Sequence, residues 1–131
     1  MKNRFLKSEK GQALVEMAFV IPILLMLVFG ITEFGRIFGT QLILSNSARE
    51  GARFAAVGAT DTEIITKIVN NATMLDNSKL FISITPNDSL RRRGESVKIK
   101  IQYPVEIYAP LISEITGNPY IAKSEAIMRM E

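Results

Sequence analysis

The chain lacks cysteine, histidine and tryptophan altogether. Without cysteine and histidine there can be no disulfide, no thiol nucleophile, no Cys/His zinc site and no histidine general base. The sequence also has no glycine-rich phosphate loop, no D-x-D-x-D-G calcium loop and no G-x-S-x-G nucleophile motif. Most common enzyme mechanisms thereby lose a required residue, so we expect neither an enzyme, nor a cofactor, nor a bound metal.

The net positive charge is confined to the N terminus. Residues 1–11 contain four of the 16 basic residues and one of the 13 acidic residues, so they carry the whole net charge of +3. The one dense basic cluster elsewhere is Arg91-Arg92-Arg93, which is flanked by Asp88 and Glu95 and has no interleaved aromatic residue. This pattern favours a solvated loop over a nucleic-acid site, so no nucleic-acid partner is expected.

One long hydrophobic stretch follows the basic segment. Residues 12–31 are mostly apolar, and about 20 helical residues rising ~1.5 Å each cover the ~30 Å of a bilayer core. Basic residues favour the cytoplasmic side, which predicts a single span with the N terminus inside and the C terminus outside. The alternative is a secretory signal peptide, but residues 29–34 offer no A-x-A-like cleavage site.

Glu16 is the unusual residue of this stretch. An ionisable group in a span is costly and is by default a functional candidate. The structural alternative is that Glu16 lies shallowly among the headgroups or pairs with Lys10. The spacing of Glu16 from Gly11 bears on the choice between these two interpretations.

Two motifs resemble a known family. The first runs from Lys10-Gly11-Gln12 through Glu16 and Pro22 to Arg36, and the second is Asn46-Ser47-Ala48-Arg49-Glu50-Gly51-Ala52-Arg53. Together they resemble the TadE-like family of pilin-related proteins of tight-adherence (Tad/Flp) secretion systems. The resemblance implies that a prepilin peptidase cleaves after Gly11, leaves Gln12 as the new N terminus, and leaves Glu16 and Pro22 in an assembly segment.

This resemblance implies a minor pilin or pseudopilin that is required for assembly of a Tad pilus or related machinery. Its expected partners are the prepilin peptidase, other Tad pilins or pseudopilins, the inner-membrane platform and membrane lipid. The expected location is the bacterial inner membrane, with incorporation into a pilus as a further expectation. In a filament, Glu16 of one subunit would neutralise the new Gln12 ammonium of its neighbour, because an unpaired charge in an apolar bundle is expensive. The alternative is an unprocessed, signal-anchored extracytoplasmic binding module.

Helical periodicity continues past the apolar stretch, and no proline interrupts it before Gly58. A helix from Gln12 to Val57 would be about 69 Å long, so a stalk should project from the membrane. Small residues at four-residue spacing permit close helix packing, against either another subunit or the chain's own domain. Arg49, Glu50 and Arg53 are candidates for intersubunit or tertiary polar contacts. The candidate packing positions are Gly35, Gly39, Ser47, Ala48, Gly51, Ala52 and Ala55.

The C-terminal residues predict a small domain. A second helix capped by Thr60 or Asp61 precedes strands at Leu80–Thr85, Ser96–Tyr103 and Ile121–Met130, with a short helical turn within Ala109–Thr116. The predicted fold is α+β and pilin-like, with a long N-terminal helix packed on a small antiparallel sheet and a second helix. The predicted segments are a leader (1–11), a transmembrane segment (12–31), the projecting helix (32–57) and an extracytoplasmic domain (58–131).

Overall fold

A long helix is followed by a small domain that packs on one side of it. The computed structural model describes the backbone of residues 3–131 and the side chains of residues 10–131. The predicted α+β fold is confirmed. The elements are helix α1 (Asn3–Ala56), helix α2 (Asp61–Asn71), strand β1 (Phe81–Thr85), strand β2 (Ser96–Val105), short helix α3 (Ile112–Thr116) and strand β3 (Tyr120–Arg129).

Helix α1 is 54 residues long, which corresponds to about 81 Å. It confirms the predicted continuous helix and extends it, because the helix begins at Asn3, within the basic segment, and ends at Ala56. Pro22 lies inside it without breaking it. Residues 10–29 have exposed side chains throughout. Among the described residues this is the one helix long and apolar enough to cross a membrane, and it is consistent with single-pass anchoring.

Helix α2 begins with a capping box. Thr60 is its N-cap: the Glu63 amide donates to the Thr60 hydroxyl at 3.4 Å, and the Thr60 amide donates to the Glu63 carboxylate at 2.9 Å. These reciprocal bonds satisfy two amides that a helix start leaves unpaired. The hydrogen bonds from Thr60 lower the pKa of Glu63. Ile64 and Ile68 form the buried side of α2.

The three strands form one antiparallel sheet in the order β1-β2-β3. The central strand β2 follows the predicted alternation, since Val97, Ile99 and Ile101 are buried while Lys98 and Lys100 are exposed. Ile99 pairs with Ile84 on one side and Ala126 on the other. One face of the sheet therefore contributes to the core.

The core lies between this sheet, α2 and the second half of α1. Gly51 marks a close approach, because a Cβ placed there would lie 2.8 Å from Ile68 Cδ1 and 3.1 Å from Ile99 Cδ1. Glycine lets α1 approach both α2 and β2. Helix α1 contributes one large residue, Leu44, and three alanines to the core, and the alanines are Ala48, Ala52 and Ala55.

The basic cluster corrects one prediction. Arg92 and Arg93 are exposed as expected, but the Arg91 side chain is only 2% exposed and pairs with Asp61. It donates to the Ala59 carbonyl at 2.7 Å and to the Pro86 carbonyl at 3.0 Å. Arg91 therefore joins the start of α2 to the loop after β1. Five donors in a planar fork suit this bridging role, which a charge count along the chain does not reveal.

The Gly51 contact predicts a difference between two alanine substitutions in α1. Both Gly51→Ala and Gly39→Ala gain helix propensity, but at Gly39 an added Cβ meets no atom within 4 Å. Overpacking at Gly51 should make Gly51→Ala less stable than Gly39→Ala by about 1–3 kcal/mol. Chemical unfolding of the two full-length variants, followed by loss of sheet signal, measures the difference. Equal stabilities would contradict the tight packing.

Candidate processing and assembly site

The candidate cleavage segment lies on the exposed first half of α1. A Cβ at Gly11 would meet no atom within 4 Å. The next residue is Gln12, whose Nε2 donates to Oε1 of Glu16, one turn further along the helix, at 3.2 Å. Within residues 10–131, Glu16 forms no ion pair with Lys10, so the pairing left open by the sequence is not seen there. The carboxylate therefore lies on the helix surface and points toward Gln12.

Beyond the apolar stretch, α1 has two opposite faces. Its domain face is covered by the rest of the chain: Glu33, Thr40, Leu44 and Ser47 are buried. Phe34, Phe38 and Leu42 lie on the other side and are 53%, 72% and 64% exposed. We call these three residues, together with Gly35 and Gly39, the free stripe. At about 100° of rotation per residue, the middle of the free stripe lies nearly opposite the domain face.

The small residues divide between these faces. Ser47, Ala48, Gly51, Ala52 and Ala55 are all buried against the chain's own domain. Gly35 and Gly39 instead have open space where a Cβ would lie. Of the two uses of small residues that the sequence left open, the described structure shows intramolecular packing for the first group. Of the seven candidate packing positions, Gly35 and Gly39 are the two that remain accessible to another helix.

The three candidate polar residues occupy the edge of α1. Glu50 lies 3.7 Å from Arg53 Nη2 and 3.8 Å from Lys67 Nζ, so it links α1 to α2. Lys67 also lies 5.0 Å from the centre of the Phe54 ring. Arg49 is exposed and forms no ion pair with any side chain of residues 10–131. Arg49 is thus the free cation of the Asn46–Arg53 motif within that range.

Glu33 is the first buried residue of α1 among the residues whose side chains are described. It is 4% exposed, and its Oε1 accepts hydrogen bonds from the Tyr108 amide at 2.9 Å and the Ala109 amide at 3.2 Å. Its Oε2 accepts from Arg36 Nη1 at 2.9 Å. A buried carboxylate requires such partners, because an unpaired one would be expensive. Glu33 therefore ties the segment after β2 to the helix just beyond the apolar stretch.

Polar contacts around Tyr108 extend this attachment. The Arg36 guanidinium lies 4.7 Å from the centre of the Tyr108 ring, a cation–π distance. The Tyr108 hydroxyl donates to Glu106 at 3.1 Å, and Lys79 donates to the other carboxylate oxygen at 3.0 Å. The hydrogen bond from Lys79, followed by that from Tyr108, lowers the pKa of Glu106, and the same contact with Glu106 raises the pKa of Lys79. We call the contacts of Glu33 with Arg36, Tyr108 and Ala109 the Glu33 junction. The exposed contacts among Tyr108, Glu106 and Lys79 lie next to it.

Asn118 closes the same segment from the other side. Its Oδ1 accepts from the Ile107 amide at 3.1 Å, and its Nδ2 donates to the Ile107 carbonyl at 3.2 Å.

Across the part of the chain that the structure describes, no group of acidic residues is arranged to hold a metal. The site therefore consists of helix faces and attachment contacts.

Sequence reasoning missed the importance of Glu33. Its spacing from Arg36 predicts a weak local pair, and that pair is present. The stronger contacts come from amides 75 and 76 residues away, which no local pattern indicates. One signal was available: Glu33 is the first charged residue after the apolar stretch.

Comparison with known proteins finds a family similarity in the N-terminal part of the chain. Residues 11–53 match the family model described as TadE-like protein. The resemblance predicted from the two motifs is thus confirmed over that segment, which lies wholly within α1. No curated protein and no solved structure matches the chain significantly.

The Glu33 junction gives a prediction of local stability. Glu33→Ala leaves the Tyr108 and Ala109 amides without their acceptor, and an unsatisfied buried donor costs roughly 1–3 kcal/mol. We expect both amides to exchange hydrogen faster while the central strand keeps its protection. Glu33→Gln is the matched control, because its side-chain carbonyl can still accept. Unchanged exchange at both amides in Glu33→Ala would contradict the junction.

Proposed function

We propose that this protein is a minor pilin or pseudopilin-like structural component required for assembly of a Tad (Flp) pilus or related secretion machinery. In this proposal a prepilin peptidase cleaves it after Gly11. The match to the TadE-like family begins at Gly11 and ends at Arg53, which supports a function that resides in α1. The C-terminal domain then serves to cover one side of that helix.

The single observation that carries the proposal is the free stripe. It extends to Leu42, eleven residues past Ile31, which is about 16 Å beyond a span that ends there. Phe38 lies seven residues, about 10 Å, past Ile31, which is beyond the ~5–7 Å headgroup layer, and the chain's own domain lies on the other side of α1. An apolar face rimmed by polar residues marks a protein contact. Gly35 and Gly39 allow a second helix backbone to approach it.

Glu16 lies on the same side as this stripe. Glu16 and Phe34 are 18 residues apart, which is five turns of a straight α-helix. A partner helix packed on the free stripe can therefore run along the Glu16 side as well. Pairing of Glu16 with the Gln12 ammonium of a neighbour would then set the axial register of the bundle, because each buried charge needs its partner.

Charge distribution supports both orientation and release. The four basic residues of the leader favour an N-terminus-inside topology. Cleavage after Gly11 would remove the whole net charge of +3 and with it the electrostatic attraction to anionic lipids on the cytoplasmic side. The mature chain would leave the bilayer more easily. An N-terminus-inside topology would leave the C-terminal domain outside the cytoplasm before assembly.

The cleavage step is tested by intact mass. Coexpression with the Tad prepilin peptidase should remove residues 1–11 and leave a chain that begins at Gln12. Gly11→Val should block this loss, because a branched side chain replaces an unobstructed backbone at the scissile bond. Ala18→Val, a similar enlargement elsewhere on the exposed helix, should be processed normally. A wild-type chain that keeps its full mass would favour the unprocessed, signal-anchored binding module.

The assembly step is tested at Glu16. Glu16→Ala should be cleaved normally but should reduce the yield of filaments, because the neighbouring ammonium loses its counter-charge. Glu9→Ala is the matched control, since that carboxylate is discarded with the leader. Filament yield is measured by shearing and quantifying surface pili in strains that express each variant. Wild-type yield from cleaved Glu16→Ala would remove the proposed role of this residue.

A further inference from the structure

We propose that the segment Tyr108–Thr116, which includes α3, is a membrane-contact loop that inserts into the outer-leaflet interface of the bilayer beside α1. The proposal rests on α1 spanning a membrane and does not depend on cleavage or pilus assembly. It concerns the domain face of α1, opposite the free stripe. The partner is the lipid bilayer.

The position of the loop along α1 is the first argument. Pro110 lines one shallow groove together with Pro22, Leu25, Met26 and Phe29 of the apolar stretch. A Cβ on Gly30 would lie 3.9 Å from Ile112 Cδ1. If residues 12–31 cross the bilayer, Phe29 lies within it, only about 3 Å below the outer end of the span. The loop therefore lies alongside helix residues that lipid surrounds.

The chemistry of the loop is the second argument. Leu111 is 53% exposed and Ile115 is 84% exposed, while the segment contains a single charged residue, Glu114. Helix α3 is too short to bury these side chains in a core of its own. Leu111 also has a φ of 71°, a conformation that branched and bulky residues rarely adopt. Exposed apolar side chains next to a span are more stable in lipid than in water.

The residues above the loop match the polar boundary of a membrane. Tyr108 lies at the start of the loop, and Arg36 packs over its ring about 7 Å beyond Ile31. Tyrosine is enriched at the level of the lipid headgroups, and arginine extends its charged end toward them. Glu33 accepts from the Tyr108 and Ala109 amides, so the buried carboxylate sets the height of the loop. From α3 to Arg36, the side chains are thus first apolar, then aromatic at Tyr108, and then cationic at Arg36.

The absence of cysteine allows a direct depth measurement on the full, uncleaved chain. Ile115→Cys and Leu111→Cys are each labelled with the fluorophore NBD, and the protein is reconstituted in vesicles of phosphatidylcholine and phosphatidylglycerol. Both leaflets carry lipid with a nitroxide high on the acyl chain, so the orientation of the protein does not affect the result. Val57→Cys is the matched control: it is apolar and 70% exposed, but it follows the far end of α1.

We expect blue-shifted emission and stronger quenching by the nitroxide lipid at positions 115 and 111 than at position 57, at every protein-to-lipid ratio. Iodide in the buffer should quench position 57 more strongly. Ile115→Cys replaces a highly exposed side chain, so it keeps the test valid if Leu111→Cys does not fold. Labels at 115 that behave like the label at 57 would overturn the proposal. Protection from both quenchers that grows with protein density would mean that a second copy covers the loop, and would also overturn it.

Discussion

The structure depends on the close packing of α1 against α2 and β2 at Gly51. Because Ile68 and Ile99 occupy the space that a side chain would need there, the domain can close only on a helix with small residues at this height. Leu44, Ala48, Ala52 and Ala55 complete that face. The helix is therefore one side of the domain core, and its apolar first half continues from that core without a break.

One continuous helix must then suit two environments, and Glu33 marks the change. Before Gly30 the described side chains of α1 are exposed, and from Glu33 onward one face is buried. Salt bridges and hydrogen bonds are stronger away from water, so a carboxylate with three donors can hold the Tyr108 segment at this boundary. The position of the domain along α1, next to the end of the apolar stretch, follows from that contact.

Patterns with a short period were sufficient for most of the fold. The alternation in β2, the capping residues of α2 and the uninterrupted periodicity of α1 each depend on neighbouring residues, so sequence alone predicted these elements and their approximate ends. The roles of Glu33 and Arg91 depend on partners that the fold brings together. Their local sequence indicates a weak helix pair and a solvated basic loop, and only the tertiary arrangement shows two buried charged groups. Gly51 falls between these cases, because its small size was evident but its partner was not.

The two proposals use different sides of α1, and this separation constrains how the subunit would move. The domain and the Tyr108–Thr116 loop occupy one side, so a second helix can pack along Glu16 and the free stripe without displacing either of them. The loop would still have to leave lipid when the subunit enters a filament, and the apolar surface of Leu111 and Ile115 opposes that step. Lipid contact would thus retain an uncleaved or unpaired subunit in the membrane. Burial of Phe34 and Phe38 against a neighbour would offset the free energy lost when Leu111 and Ile115 leave lipid. Extraction would therefore be favourable only when a partner helix is present.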